Sequence, residues 1–340
     1  MNPSIMLDNI RSQPESLRCL VDYHLGEGKP ALLQAASAIR SAKSVVFTGM
    51  GSSMSASIPA VYYLESHGFP AEVVETSEWL HFGRAKRRSD AEVLISRSGE
   101  TVEIIKLLKR LEDSTSVTVG ITNEPGTTLE RESDYPIFLA SGPDRMVAVQ
   151  TYTGTMALLL LLAAAILEEP EEQTRRVLAA VVDAMTAEIE KSVAQAGEWE
   201  EFLRGSEVVY LLARGPSLAS AREGSLLFNE AARLPSVGMS CALFRHGPVE
   251  IVDHRFRAIV FASQEPTREI DLAMAIDLAK LGGKARVCQA QGVPSAFAPL
   301  VEIIPVQVAA CHVAQTRGID PGAFRYAGLV TTTESGFEKT

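Results

Sequence analysis

The chain has 340 residues, which at roughly 150 residues per domain suggests two domains. Its apolar share is 46% and its charged share 22%, a balance that excludes collagen, disorder and coiled coil. The formal charge of -10 disfavours a nucleic-acid partner, because the whole protein repels a phosphate backbone, but leaves room for a small anion, which responds only to groups within a Debye length of ~8 Å.

The opening MNPSIMLDNIRSQPESL has no basic region leading into an apolar core, so no signal peptide is expected. Short β-branched runs then alternate with helical stretches, the pattern of βαβ units and a parallel sheet. The expected strands of the first half are Ser44–Thr48, Glu72–Glu75, Glu92–Ile95, Val117–Ile121 and Tyr135–Leu139. Helices are expected over Ser53–His67, Thr101–Glu112 and Tyr152–Leu167, the last apolar almost all round and so buried. The longest apolar run, Met156–Leu167, falls short of the ~20 residues that span a bilayer. A soluble, cytoplasmic protein with no membrane partner is expected.

After EEPEEQ (Glu168–Gln173), read as a solvated helix start or linker, a helix is expected over roughly Thr174–Glu198. The pattern then begins again, with strands at Glu207–Leu212 and Phe256–Ala262 and a helix at Glu269–Leu281. Placing Gly51 on Gly215 brings Ser53 onto Ser217, and the strand ending at Ile95 near the one ending at Phe261. The two halves therefore look like repeats of one fold, by element order and turn position rather than identity.

Two turns of the first half can hold an anion. In VVFTGMGSSMSAS a strand ends at Gly49, Gly51, Ser52 and Ser53 and a helix begins, so backbone N–H groups and hydroxyls can receive a phosphate. A dinucleotide fingerprint is not met, since Met54 stands where a third glycine belongs, and a plain serine-capped turn is the alternative. In EVLISRSGETVEIIKLLKRL, Ser96, Arg97, Ser98, Gly99, Glu100 and Thr101 lie at a second such turn. Two turns at neighbouring strand ends converge on the crevice where open α/β sheets bind ligands; Glu100 reads as a first-turn charge favoured by the helix dipole.

In the second half Glu223, Glu230 and RHGP (Arg245–Pro248) stand out. Glu230 ends a helix-forming run and His246 follows in a turn, so both could face one cleft and shuttle protons; a helix-surface Glu and a loop His are the plain alternative. The four cysteines show no CxxC spacing, and the six histidines no HxH or HxxxH. Neither a metal nor any other cofactor is expected.

Together GMGSS, SRSGET, Asn123–Asp134, Val147–Thr153, EGSLLFNEAARL and FRHGPVEIVD resemble the tandem sugar isomerase (SIS) domain family. The resemblance is to the isomerase half of glutamine:fructose-6-phosphate aminotransferase and to stand-alone phosphosugar isomerases, deaminases and fructosamine-6-phosphate deglycases. It implies two α/β SIS domains, each a five-stranded parallel sheet in a three-layer, flavodoxin-like sandwich. The layout would be an N-terminal helical segment (1–30), a first domain (31–170), a connecting helix (171–197), a second domain (198–325) and a tail (326–340).

By the same resemblance Gly51, Ser52, Ser53, Ser96, Arg97, Ser98 and Thr101 would hold the sugar phosphate, and Val147, Ala148, Gln150 and Gly328 would line the sugar. Glu230 would move a proton between C1 and C2. His246 would assist ring opening, reaching the site from a neighbouring subunit in a homodimer. Three departures qualify this. No glutaminase segment precedes the resemblance, which disfavours glutamine-dependent amination. No lysine falls near Gly328 or Leu329, so an enzyme imine has no nucleophile. Leu227 replaces a lysine three residues before Glu230. An amine-bearing substrate supplies its own imine, so deamination or deglycation of a 6-phosphorylated amino sugar or fructosamine is expected. A simple ketose–aldose isomerase and a non-catalytic phosphosugar sensor are the alternatives.

Overall fold

The computed structural model describes residues 4–83, 91–112, 114–144, 147–326, 328 and 331–335. The chain divides into two compact units, a first of Glu15–Pro143, Gln150–Leu178 and Arg325–Thr340, and a second of Met1–Pro14, Asp144–Val149 and Ala179–Phe324.

The first unit opens with the later part of helix α1 (Ile5–His24) and with α2 (Lys29–Ala42). Then follow β1 (Val45–Gly49), α3 (Ser52–Ser66), β2 (Ala71–Glu75), α4 (Thr76–Phe82), β3 (Ala91–Ile95) and α5 (Val102–Leu111). The series continues with β4 (Val117–Thr122), α6 (Thr128–Glu132), β5 (Tyr135–Phe138) and α7 (Gln150–Ile166). All five strands expected here form, in the order β2-β1-β3-β4-β5 with every pairing parallel. β1 and β3 are buried along their whole length, as continuous apolar runs require. Pro136, which cannot donate to a ladder, sits in edge strand β5. Helices α2, α3 and α7 pack together on one face, and α4, α5 and α6 on the other, giving three layers. On the second face Leu94 packs with Ile104, Leu107, Leu108 and Leu129. Helix α7 is buried on nearly all sides, as its unbroken apolar sequence predicts.

The second unit takes the end of α8 (Glu171–Ala194), then α9 (Ala196–Leu203), β6 (Val209–Ala213), α10 (Leu218–Leu227) and a π-helical turn over Phe228–Ala232. It continues with β7 (Ser236–Ser240), α11 (Cys241–Arg245), β8 (Arg257–Phe261), α12 (Arg268–Lys280), β9 (Lys284–Cys288), α13 (Pro299–Glu302) and α14 (Ile304–Thr316). Among the described residues its parallel sheet has four strands, ordered β7-β6-β8-β9, not the five that the family resemblance implies. The apolar chain after β9 is helical instead, with Pro299 and Pro305 in the first turns of α13 and α14, the position where proline's missing N–H costs nothing. The expected helix over Thr174–Glu198 is two helices, α8 and α9.

Successive residues of β6 face opposite layers, as a strand requires. Leu212 joins Phe244, Phe256, Val260, Met274 and Leu278 on the side of α11 and α12. Leu211 faces α10, where a Cβ on Gly224 would come within 2.5 Å of its Cδ2. Ser295–Thr316 is long and apolar enough by composition to cross a membrane, but 83% of that window is buried inside the protein.

Candidate functional site

The first sheet reverses direction between β1 and β3: the chain leaves β1 toward β2 and leaves β3 toward β4. Right-handed crossovers then put α3 and α5 on opposite faces, and a crevice opens between their starts. Gly49 and Ile95, the last residues of β1 and β3, are register partners. The two turns singled out from sequence are therefore neighbours across this switch point.

The β1 turn needs glycine twice. Gly51 has φ 52 and ψ -121, a backbone that side chains avoid, and it presents Ser52 and Ser53 at the first turn of α3. A Cβ on Gly49 would come within 2.8 Å of Ser53 Cβ, so the helix start lies close against the strand end. Ser52 and Ser53 are half-buried and Gly51 is exposed.

The β3 turn is held by its own hydroxyls. Ser96 Oγ stands 2.8 Å from Thr101 Oγ1 and 3.4 Å from Ser98 Oγ, and it accepts the N–H of Gly99 at 3.1 Å. Ser98 Oγ accepts the N–H of Glu100 at 3.3 Å. Gly99 has φ 64, and a Cβ there would stand 2.2 Å from Thr127 Oγ1. Glu100 uses its carboxylate to accept the N–H of Thr128 at 2.6 Å, a structural role that fits the dipole reading better than chemistry. Asn123 donates its N–H to the carbonyl of Arg97 at 3.0 Å, which fixes the turn against β4.

The described part of the tail also belongs to this unit. Val102, the first residue of α5, donates its N–H to the carbonyl of Thr331 at 3.0 Å. Glu334 pairs with Lys106 and with His81, and hydrogen bonding from Lys106 holds its carboxyl below the usual range. Gly328 thus lies three residues ahead of a strap across the start of α5, while Leu329 lies outside the described residues. Gln150, at the head of α7, is buried; its Nε2 donates to the carbonyl of Pro143 at 3.0 Å, and its own carbonyl accepts Ser141 Oγ at 2.9 Å. Val147 is buried and Ala148 half-buried in the segment assigned to the second unit.

In the second unit, Glu230 lies in the π-helical turn that ends α10. Arg233 closes that turn at φ 49. Asn229 clamps the start of β7, accepting the N–H of Ser236 at 3.2 Å and donating to its carbonyl at 3.3 Å. Glu230 is thereby placed at the amino end of β7. His246 is exposed and caps α11, which follows the carboxyl end of the same strand. Glu230 and His246 thus stand toward opposite ends of β7, a five-residue strand that spans about 13 Å at ~3.3 Å per residue. Among the described residues no group of three or more His, Cys, Asp or Glu is arranged to hold a metal ion.

A SIS-domain family model matches residues 38–167, the stretch that carries β1 to α7 and both hydroxyl-lined turns. A glutamine–fructose-6-phosphate aminotransferase (isomerizing) of Pyrobaculum aerophilum is 30% identical over 98% of this chain, which spans 58% of that relative's length. Among solved structures, the C-terminal domain of glucosamine-fructose-6-phosphate aminotransferase from Francisella tularensis superposes with a TM-score of 0.83, at 22% identity over 93% of this chain and 97% of that one. A glucosamine-6-phosphate deaminase from Thermotoga maritima gives 0.80, at 19% identity over 96% of this chain and 99% of that one. At such identities the likeness is one of fold, and it extends beyond residues 38–167 to the second parallel sheet.

The crevice lies in the first unit, and Glu230 and His246 lie in the second. Sequence reasoning missed one group in the second unit, the carboxylate of Glu302. It is 1% exposed, and burial, the largest influence, lifts its pKa to about 7 against hydrogen bonds from serine hydroxyls that lower it. Nothing local in PLVEIIP marks it, because its partners are distant in sequence.

Proposed function

We propose that the protein is a phosphosugar isomerase-type enzyme that deaminates or deglycates a 6-phosphorylated amino sugar or fructosamine. The observation that carries this reading is the crevice between β1 and β3, where Ser52, Ser53, Ser96, Ser98 and Thr101 converge from two paired strand ends. Such a crevice supplies hydroxyls, N–H groups and two helix starts to a dianionic phosphate without a cluster of lysines. The aminotransferase relative supports the sugar-phosphate class, and the deaminase neighbour shares the fold.

In this reading Glu230 takes the C1 or C2 proton of the open-chain sugar and returns it to the neighbouring carbon. The neighbouring carbonyl takes up the electron pair to give an enaminol, and return of the proton to that carbon leaves the amine-bearing carbon as an imine, so no lysine is needed at Gly328. Water then adds to the imine carbon and the amine leaves with a proton. His246 assists ring opening from a second copy of the chain. Its separation from Glu230 across β7 supports that arrangement, as do Leu243 at 64% and Ile251 at 46% exposure beside it, apolar side chains suited to an isologous contact.

The test is proton NMR in deuterated water with glucosamine 6-phosphate, fructose 6-phosphate and phosphorylated fructosamines in parallel. Exchange at C1 or C2 with amine release is expected, and Glu230→Gln should slow it ~100- to 10,000-fold. Exchange without amine release would assign a ketose–aldose isomerase. Binding with no exchange from any of these substrates would leave a sensor and end the enzymatic reading.

A further inference from the structure

The second sheet has a crevice of its own. Its strand order reverses between β6 and β8, as the first reverses between β1 and β3, and Leu212 and Val260 are register partners near the ends of those strands. Gly215 has φ 55 where Gly51 has φ 52. Ser217 stands four residues past the end of β6, as Ser53 stands past β1, and Ser263 stands two residues past the end of β8, one further than Ser96 stands past β3. One hydroxyl position is repeated and a second is displaced by one residue, and what these hydroxyls hold is not solvent.

Ser220 Oγ donates to Glu302 Oε1 at 2.9 Å, and Ser263 Oγ donates to Oε2. Ser217 also hydrogen-bonds the carboxylate, and its Oγ accepts Gln264 Nε2 at 2.9 Å. Ala290 donates its N–H to Ser263 Oγ at 2.9 Å, which leaves the hydroxyl proton for Glu302. All five side chains (Ser217, Ser220, Ser263, Gln264 and Glu302) are buried. Hydroxyl donors reach both oxygens, an arrangement that suits a group with only acceptors. A carboxylate or a phosphate meets that requirement, whereas an amide would turn an N–H₂ toward a donor.

We infer that the crevice of the second sheet is an anion site filled from within, with the Glu302 carboxylate standing where a phosphate would sit, so that each chain keeps one phosphate site open. The inference borrows from the proposed function the idea that this kind of crevice takes phosphate. The ligand class of the masked site is inorganic phosphate or a phosphate monoester, admitted only when the carboxylate is gone. The first unit then selects the substrate, and the second is free to supply Glu230 and His246 without trapping a second sugar phosphate.

Titration calorimetry of the full chain with inorganic phosphate at pH 8 tests this. Glu302→Ala is expected to bind one more phosphate per chain than wild type, whereas Glu302→Gln, which keeps the crevice filled, gains none. Counting relative to wild type separates the two claims. A change from one site to two supports both, and a change from none to one supports the filled crevice while ending the phosphate reading of the first unit. A folded Glu302→Ala chain with no added site, or an added site in Glu302→Gln, overturns the inference. Should Glu302→Ala fold only with help, phosphate and not chloride of equal ionic strength is expected to restore it, and failure of both overturns the inference. As a check that leaves the charge in place, Ser263→Ala should move the ¹³C-detected titration of Glu302 up by about one pH unit; an unmoved titration removes the clasp on which the inference stands.

Discussion

Replacing Glu302 by Gln separates the charge of this buried group from its shape. Glu302 is 1% exposed and titrates at about 7 in the fold against an ordinary 4.5, so solvent screening offers little relief. The other charges acting on it come from the same unit. Asp271 of α12 raises its pKa and is itself paired with Arg214 at 2.7 Å, while the Cys288 thiol, pushed up by burial, also feels Glu302. Between pH 4.5 and 7 the folded chain holds a proton that the unfolded chain has released, so stability falls as pH rises. At ~1.4 kcal/mol per pKa unit the shift corresponds to about 3 kcal/mol. The favourable contribution is fully present below pH 4.5 and lost above 7. The glutamine variant has no such proton. Urea unfolding of both proteins at pH 4.5 and pH 8 should show wild type losing about 3 kcal/mol relative to Glu302→Gln across that range. Parallel losses, with the difference between the two proteins constant, would refute the claim that Glu302 is a desolvated carboxylate.

Three further outcomes are expected. Gly99→Ala forces a Cβ to within 2.2 Å of Thr127 Oγ1 on a backbone at φ 64; the left-handed strain and overpacking should cost about 2–4 kcal/mol, and an unchanged urea midpoint would contradict the turn geometry. Ser98→Asp puts a negative charge beside Ser96 and the N–H of Glu100; equilibrium dialysis should show sugar-phosphate affinity falling at least ~10-fold through like-charge repulsion, while a smaller loss places the phosphate elsewhere. Mixing Glu230→Gln with His246→Ala should restore activity that neither variant has alone, up to about a quarter of wild type for randomly exchanged isologous dimers; no recovery after verified subunit exchange would keep both residues within one chain's site or remove one of them from it.

The fold was legible where burial is continuous. β1, β3 and β8 are buried at every position, and their apolar runs announce them. β7 and β9 escaped because they are the edges of the second sheet. SVGMS is half-buried throughout, and KARVC keeps Lys284 and Val287 exposed, so neither strand needs the unbroken apolar run that marks a central one. The missing fifth strand has a related cause: the chain after β9 is as apolar as any strand, but its prolines stand where helices begin, and hydrophobicity alone does not distinguish the two.

The site divides along a similar line. Gly51, Ser53, Ser96 and Ser98 were readable because a strand end, a positive-φ glycine and a helix start are all local events, and the sheet order then made the two turns neighbours. The placing of Glu230 and His246 toward opposite ends of β7 was not readable, because spacing along the chain does not reveal where the intervening strand runs. Glu302 left no trace at all: its hydrogen-bonding partners, Ser217, Ser220 and Ser263, lie on two other elements. A carboxylate so placed costs about 3 kcal/mol when charged, and a leucine or glutamine of similar size would avoid that cost. Its presence is better explained by the hydroxyls of Ser217, Ser220 and Ser263, which would otherwise face one another around an unfilled, donor-lined space.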